Sequence, residues 1–534
     1  MKARFGTVAL GVAGITLAAR VVGFGRWLVF SKTVGDTCLG DVYNAANTLP
    51  NVLFEIVAGG ILAGVVIPVL ARHVGAQRRT ETEQTTSALL TWTLIILTPA
   101  ALAALLGAPM YGTAFAKPTC ESSAVTVAAL LVMFVPQIWL YGLAVVSAGV
   151  LQAHSRFLAA ALAPLVSSVV VITSYLLFLG AAVPDAQEDL RRLNRSALAI
   201  LGWGTTLGVL ALALTTVIPM ARLGHRLRPR LRFAAGDRAV LSRIAAAGIG
   251  GLVLQQLSLL VINWSAQQTG DQGALTRFTW ANAIYLLPYA VLVAPLLQVA
   301  FPRLATAAQD GASAVAGVLD EVGPQVIMLG SLGAALLLAT AVPVARVFVL
   351  GPGSGDTAAL AWLIAMLAPA VIGFGMLGLG SRTLLAQHRA RAAGAATMTA
   401  WAVVIIAALA SRLVVPVDWQ VVALAASVSL GMCAGGVAGA VLSRSPADQR
   451  HSRAWLGRSV LICLPAAGLA GGLIGWPAMQ LREAALLAAT LGALGASVAC
   501  VMIFVGVVFL VDRNLAAMLW NLGRRKAKVA ADRS

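Results

Sequence analysis

The chain has 534 residues, 59% of them hydrophobic and only 11% charged, with a mean hydropathy of +0.88. A water-soluble chain of this length needs more charge than that to cover its surface, so a soluble enzyme or binding module is excluded. The net charge of +18 reads as the positive-inside bias of membrane loops rather than as a nucleic-acid surface.

Apolar stretches of about 20 residues, each able to cross a hydrocarbon core of ~30 Å, recur along the whole chain. Fourteen spans are expected, at 6–30, 41–71, 87–107, 123–151, 157–180, 196–220, 242–267, 276–302, 321–348, 357–381, 392–411, 418–442, 457–476 and 484–511. The fold class is therefore all-α and polytopic. The first apolar run resembles a signal peptide behind Lys2 and Arg4, but it resumes after Arg20 and no small-x-small site closes it, so it is expected to stay.

Even parity places both termini on one side. With that side cytoplasmic, about 27 of the 38 Lys and Arg fall inside, about 7 outside and about 4 within spans. Arg191, Arg192 and Arg195 fall outside, balanced by Asp185, Glu188 and Asp189 in the same loop.

The first span carries Arg20 and Arg26 inside an apolar run. A charge at mid-bilayer costs at least ~2.5–3.5 kcal/mol on insertion scales and marks function by default. Six residues apart on an ideal helix, the two point roughly 120° apart. The second span carries Asp41 near its outer end, Asn51, and Glu55 near its middle. Arg20 and Glu55 are expected at similar depth and are a candidate pair. Structural readings stand beside these: backbone carbonyls around Arg20, a neutralised Glu55, a helix-start role for Asp41. Arg277 and Arg346, near outer span ends, read as snorkelling or interface arginines, with cavity lining as the other reading.

Two six-span halves are suggested by an internal repeat. VGDTCLGDVYNAANTLPN…IPVLA (34–71) and TGDQGALTRFTWANAIYLLP…FPRLA (269–305) share Gly-Asp, Ala-Asn, Leu-Pro and a second proline. The prolines lie 18 apart in one and 14 in the other, a difference of about one helical turn. Paired Gly/Pro-interrupted helices in corresponding positions point to a central binding site. The division is 1–220 for the first lobe, 221–241 for a basic amphipathic connector (RLGHRLRPRLRF), 242–443 for the second lobe, 444–512 for two further spans, and 513–534 for a basic tail. The connector reads either as a hinge or as an anchor on anionic headgroups.

Cysteine and histidine show no metal spacing and no Walker motif is present, so neither metal nor cofactor is expected. Cys38 and Cys120 fall in outside loops, where an oxidising exterior allows one disulfide; two free thiols is the other reading.

ARVVGFGR at 19–26, GDVYNAANTLPN at 40–51 and IPVLA at 67–71 resemble the MurJ/MviN family of lipid II flippases, as do LQAHSRFLAAALAP at 151–164 and LPYAVLVAPLLQVAFPRLA at 287–305. The resemblance implies the fold of the multidrug/oligosaccharidyl-lipid/polysaccharide exporter superfamily, with two six-helix lobes about a central cavity and two C-terminal helices grooved for a polyprenyl tail. It implies inward-to-outward transfer of lipid II, or a similar polyprenyl-pyrophosphate-linked glycan, across the bacterial plasma membrane by alternating access. Partners would be that lipid, membrane lipid and cell-wall synthesis proteins, with no nucleic acid. Arg20, Arg26 and Asp41 match charged family positions; Asn51, Glu55 and Arg277 complete the candidate substrate-binding set. Trp27, Phe54, Gly59, Ala283 and Leu286 stand where the family commonly has charges. Export of another lipid-linked oligosaccharide, ion-coupled drug antiport through Asp41 or Glu55, and a non-transporting envelope scaffold are the alternatives. The Arg-, Ala-, Gly- and Val-rich composition suggests a high-GC bacterium, as among actinobacteria.

Overall fold

A computed structural model describes residues 2–56, 66–234, 237–444 and 449–513. Gly59 and most of the basic tail lie outside them. The described chain is helical throughout, as a bilayer demands: a helix satisfies its own backbone N–H and C=O groups where no water can. Eleven helices among the described residues are long and apolar enough to cross a membrane. Three of the fourteen expected spans are not in that set. These are the first, the second and the seventh, each of which includes residues outside those described in full.

Contacts divide the chain into two compact units, residues 1–276 with 351–355, and residues 277–350 with 356–534. The first holds α1 (Lys2–Thr33), α2 (Cys38–Glu55), α3 (Val66–Gly75), α4 (Arg79–Leu106), α5 (Ala108–Ala114), α6 (Ser123–Phe134), α7 (Pro136–Ala153), α8 (Phe157–Ala181), α9 (Arg195–Ala221) and α10 (Asp237–Gln267). Leu70, Leu97, Ile138, Val146 and Val150 form a core among α3, α4 and α7. Gly35, at φ +74°, lies against the Pro352 carbonyl, where a Cβ has no room, and the Asp36 N–H donates to that carbonyl at 3.2 Å. This seats residues 351–355 in the first unit. In the loop before α9, Arg191 pairs with Asp189 (3.2 Å) and Arg192 with Asp185 (3.4 Å), as the charge balance there led one to expect, and Arg191 also pairs with Glu121 (3.0 Å) of the α5–α6 connection.

The second unit holds most of α11 (Ala274–Pro288), then α12 (Ala294–Asp310), α13 (Ala312–Val349), α14 (Thr357–Ala386), α15 (Ala390–Val414), α16 (Gln420–Leu442), α17 (Gln449–Ala478) and α18 (Leu486–Val511). Behind Pro288, residues Tyr289–Val293 loosen into a π-helical turn between α11 and α12, the local response to an interrupted hydrogen-bond ladder. α14 and α16 cross on small residues: a Cβ on Gly380 would lie 2.6 Å from the Gly439 carbonyl carbon, and one on Gly436 2.8 Å from the Gly373 oxygen. Such residues let helix backbones meet where lipid supplies no hydrophobic drive. α17 and α18 pack on α13 through Cys463, Ala466, Ala470, Cys500 and Phe504. Leu510 (83% exposed), on α18, and Leu413 (87%), on α15, belong to an apolar outer surface suited to lipid.

Each unit contains the same helix hairpin. The α7–α8 turn (LQAHSR, 151–156) puts Ser155 at φ +58°, and the α14–α15 turn (LLAQHR, 384–389) puts His388 at φ +58°. In both, the following arginine N–H returns to a leucine carbonyl five residues back, Arg156 to Leu151 and Arg389 to Leu384, each at 2.8 Å. This is one helix-closing motif at corresponding places, spans four–five and ten–eleven.

Candidate functional site

The polar positions of α2 fall on one face. Asp41, Asn44, Thr48, Asn51 and Glu55 recur at steps of three and four, the spacing of one helical stripe. α10 meets its upper part: Asn263 Nδ2 donates to Thr48 Oγ1 at 2.5 Å, and Gln267 Nε2 to the Asp41 carbonyl at 3.2 Å.

The lower part faces α7. The Tyr141 hydroxyl donates to Asn51 Oδ1 at 3.2 Å, and its ring lies on Phe54 with centroids 4.4 Å apart. Arg26 and Glu55 both act electrostatically on that hydroxyl. Three predicted residues therefore gather around a fourth, Tyr141, which sequence reading missed because nothing in an apolar helix marks one tyrosine. Arg26 is half-buried, its guanidinium 5.4 Å from the Trp27 ring centroid. Beside it is an aromatic knot: Phe30 lies 5.2 Å from Tyr43 and from Tyr175, and the Tyr43 hydroxyl bonds Tyr175 (2.9 Å) and Thr205 (2.8 Å).

Arg20 does not join this group. It is exposed and makes no ion pair among the described residues, and neither does Glu55, itself exposed. The expected Arg20–Glu55 pair is thus not formed. The reason is angular: α1 is continuous through both arginines, so with Arg26 on the aromatic face, Arg20 points elsewhere.

Asp41 is fully buried and surrounded by protein donors. Oδ1 accepts from the N–H and hydroxyl of Thr276, both at 3.0 Å; Oδ2 accepts from the Gly273 N–H at 3.0 Å and lies 3.5 Å from Lys117 Nζ. The carboxylate thereby caps the start of α11, a favourable place for negative charge. Lys117, counted from sequence as a loop charge, is 1% exposed and also donates to Ala266 O (3.1 Å) and Thr269 Oγ1 (3.3 Å). The disulfide is present: Cys38 and Cys120 are bonded, with Cα atoms 5.8 Å apart. Each cysteine is three residues from one partner of the ion pair, so the two crosslinks run side by side.

In the second unit Arg277 is 1% exposed, so it is buried rather than snorkelling. Arg346 ties α13 to the turn before α18, donating to Ala484 O at 3.0 Å. The connector is an extended strap on α4. Gln84, Ser87, Thr91 and Trp92, on one face of α4, bond the backbone of Phe233, Arg228, Arg230 and Leu231. The period of two seen in the sequence sends Arg226, Arg228, Arg230 and Arg232 outward, while Leu223, His225, Leu227 and Phe233 are half-buried. Among the described residues, no group of three or more His, Cys, Asp or Glu could hold a metal ion.

Residues 30–480 match the family described as lipid II flippase MurJ. The chain belongs to the MurJ family. The lipid II flippase MurJ of Burkholderia cenocepacia is 25% identical over 535 residues, covering 97% of this chain and 99% of that one. A probable lipid II flippase MurJ of Rhizobium meliloti is 29% identical over 352 residues, 63% of this chain and 61% of its own. Among solved structures, a lipid II flippase MurJ in an inward closed conformation shares the fold at TM-score 0.72 and 14% identity, covering 95% of this chain and 99% of that chain. An inward-facing multidrug MATE transporter shares it at 0.64 and 13% identity, covering 82% and 94%. These two likenesses show a shared fold. As a MurJ the protein is a multi-pass membrane transporter, a lipid II flippase, and not an enzyme.

Proposed function

We propose that this MurJ receives the lipid II headgroup in its first unit at Arg26, Tyr141, Asn51 and Glu55, and passes it from the inner to the outer leaflet by alternating access. The observation that carries the reading is Tyr141, hydrogen-bonded to Asn51 and within electrostatic reach of both Arg26 and Glu55. A pyrophosphate suits the planar guanidinium fork of Arg26; sugar and peptide groups suit the amide, phenol and carboxylate; the half-buried Phe54 supplies a stacking face. Arg20, exposed on another face of α1, meets the substrate at a different stage. Arg277, buried at the start of α11, supports that helix in the second unit.

The arginine bias supports a plasma-membrane orientation with both termini cytoplasmic. The shared hairpin supports two repeated six-span lobes, and α17 with α18 suits the polyprenyl tail. Cell-wall synthesis enzymes that make and consume lipid II are the natural partners. Complementation of a flippase-depleted strain tests the site. Growth should fail with Arg26→Ala and weaken with Tyr141→Phe, at unchanged protein levels. Full growth with Arg20→Ala and Arg26→Ala combined refutes the proposal.

A further inference from the structure

The described ends of α12, α14 and α16 enclose a cavity of about 640 Å³ in the second unit. Its polar rim carries His388, Arg389 and Arg444, and its apolar wall includes Phe301 (40% exposed) and Leu385 (48% exposed). The rim is held in place: Arg389 Nη1 donates to Leu442 O at 2.8 Å, and Gln387 Nε2 to Ser443 O at 3.3 Å. The other N–H groups of the Arg389 guanidinium have no partner among the described residues. No carboxylate lines the cavity among the described residues. Asp320 acts on Arg444 electrostatically, while burial pulls that guanidinium below its ordinary pKa, a cost that an incoming anion relieves.

The first unit shows what belongs in such a place. Its corresponding turns, α3–α4 and α7–α8, line a smaller cavity of about 220 Å³ that Leu223 and His225 of the strap help to enclose. Its arginines are already matched, Arg78 by Glu81 at 3.4 Å and Arg79 by Glu83 at 3.0 Å. The second unit keeps the hairpin, with Arg389 in the place of Arg156, and no carboxylate lines its cavity among the described residues.

We propose that the α12–α14–α16 cavity binds the phosphate of an anionic glycerophospholipid, with Arg389 and Arg444 on the phosphate and an acyl chain along Phe301 and Leu385. The cavity sits at span ends, where headgroups are found, and pairs a cationic rim with an apolar wall. A free phosphate has no acyl chain for the wall, and a zwitterionic lipid brings its own cation to a cationic rim. The site is separate from Arg26 and Tyr141, and its failure leaves the headgroup reading standing.

The test uses the purified full chain and three probes: phosphatidylglycerol in a phosphatidylcholine background, phosphatidylcholine alone, and inorganic phosphate. Native mass spectrometry reads bound lipid, and thermal unfolding reads stabilisation. Phosphatidylglycerol should bind and raise the melting temperature, and Arg389→Gln/Arg444→Gln should weaken it about tenfold, with an unchanged melting temperature in phosphatidylcholine showing that the variant folds. Arg226→Gln/Arg228→Gln, on the exposed strap, should keep this binding. Equal retention of phosphatidylglycerol by the cavity variant, an equal loss in the strap variant, or equal stabilisation by phosphatidylcholine or inorganic phosphate each overturns the assignment.

Discussion

Asp41 and Lys117 form an ion pair, 3.5 Å apart, in which both side chains are wholly buried. The pair is completed by Thr276 and Gly273 on the carboxylate and by Ala266 and Thr269 on the ammonium. Removing one partner strands the other charge without solvent, which costs about 3–5 kcal/mol. Asp41→Ala and Lys117→Ala should each lower the melting temperature sharply. Asp41→Asn/Lys117→Met should recover much of the loss, because no charge is left unmatched. A double variant no better than the worse single one refutes the coupling.

The Cys38–Cys120 disulfide runs beside that pair and closes a loop of sequence separation 82. Chain-entropy arguments give such a crosslink about 4 kcal/mol. Cys38→Ser/Cys120→Ser should therefore fold with a lowered melting temperature. Maleimide labelling of the unreduced, denatured wild-type protein should modify three thiols, those of Cys433, Cys463 and Cys500; five modified thiols would show no crosslink.

Tyr141→Phe removes one hydrogen bond to Asn51 and keeps the ring on Phe54. Its stability loss should stay near ~1 kcal/mol, while flipping falls more steeply than stability. Parallel loss of both would make Tyr141 a packing residue only.

The strap should loosen in acid. His225 lies 3.3 Å from His154, which holds its Nδ1 toward Val150 O, and 3.7 Å from Glu83. Arg79 and Arg78 also face this cavity, as does His73. Burial first, and then the charge of His154, hold the His225 pKa below its ordinary value, with Glu83 opposing. A depressed histidine favours the unprotonated folded form. Stability is thus full above the ordinary value of about 6.5 and falls as pH drops below it, where the unfolded chain takes up a proton first. Hydrogen exchange in residues 222–234, corrected for intrinsic rate, should accelerate between about pH 7.5 and 5.5. His225→Gln should flatten that response.

Gly380 faces the backbone of Gly439 across the α14–α16 crossing. Gly380→Ala should cost about 1–3 kcal/mol, because backbone cannot step aside as a flexible side chain can. Gly472, with open space around it, provides the comparison: Gly472→Ala should be neutral in the same thermal assay.

The all-helical membrane class, the order of the spans and the arginine-rich loops follow from composition and apolar run length, because a bilayer penalises every unsatisfied backbone group and buried charge wherever it falls. Asp41, Asn51 and Glu55 were named from the sequence one by one; that they share a face with Asn44 and Thr48 went unread, although their three–four spacing places them there. The partners of those residues were not legible. Lys117 reaches Asp41, Tyr141 reaches Asn51, and Arg20 misses Glu55 through rotations of packed helices about their axes. That rotation is set by the sum of many small contacts, such as the glycine crossing and the aromatic knot around Tyr43. Apolar sequence fixes which segments enter the membrane and how many; only tertiary packing decides which way each buried polar group turns, because hydrophobicity is the same in every direction and a hydrogen bond is not.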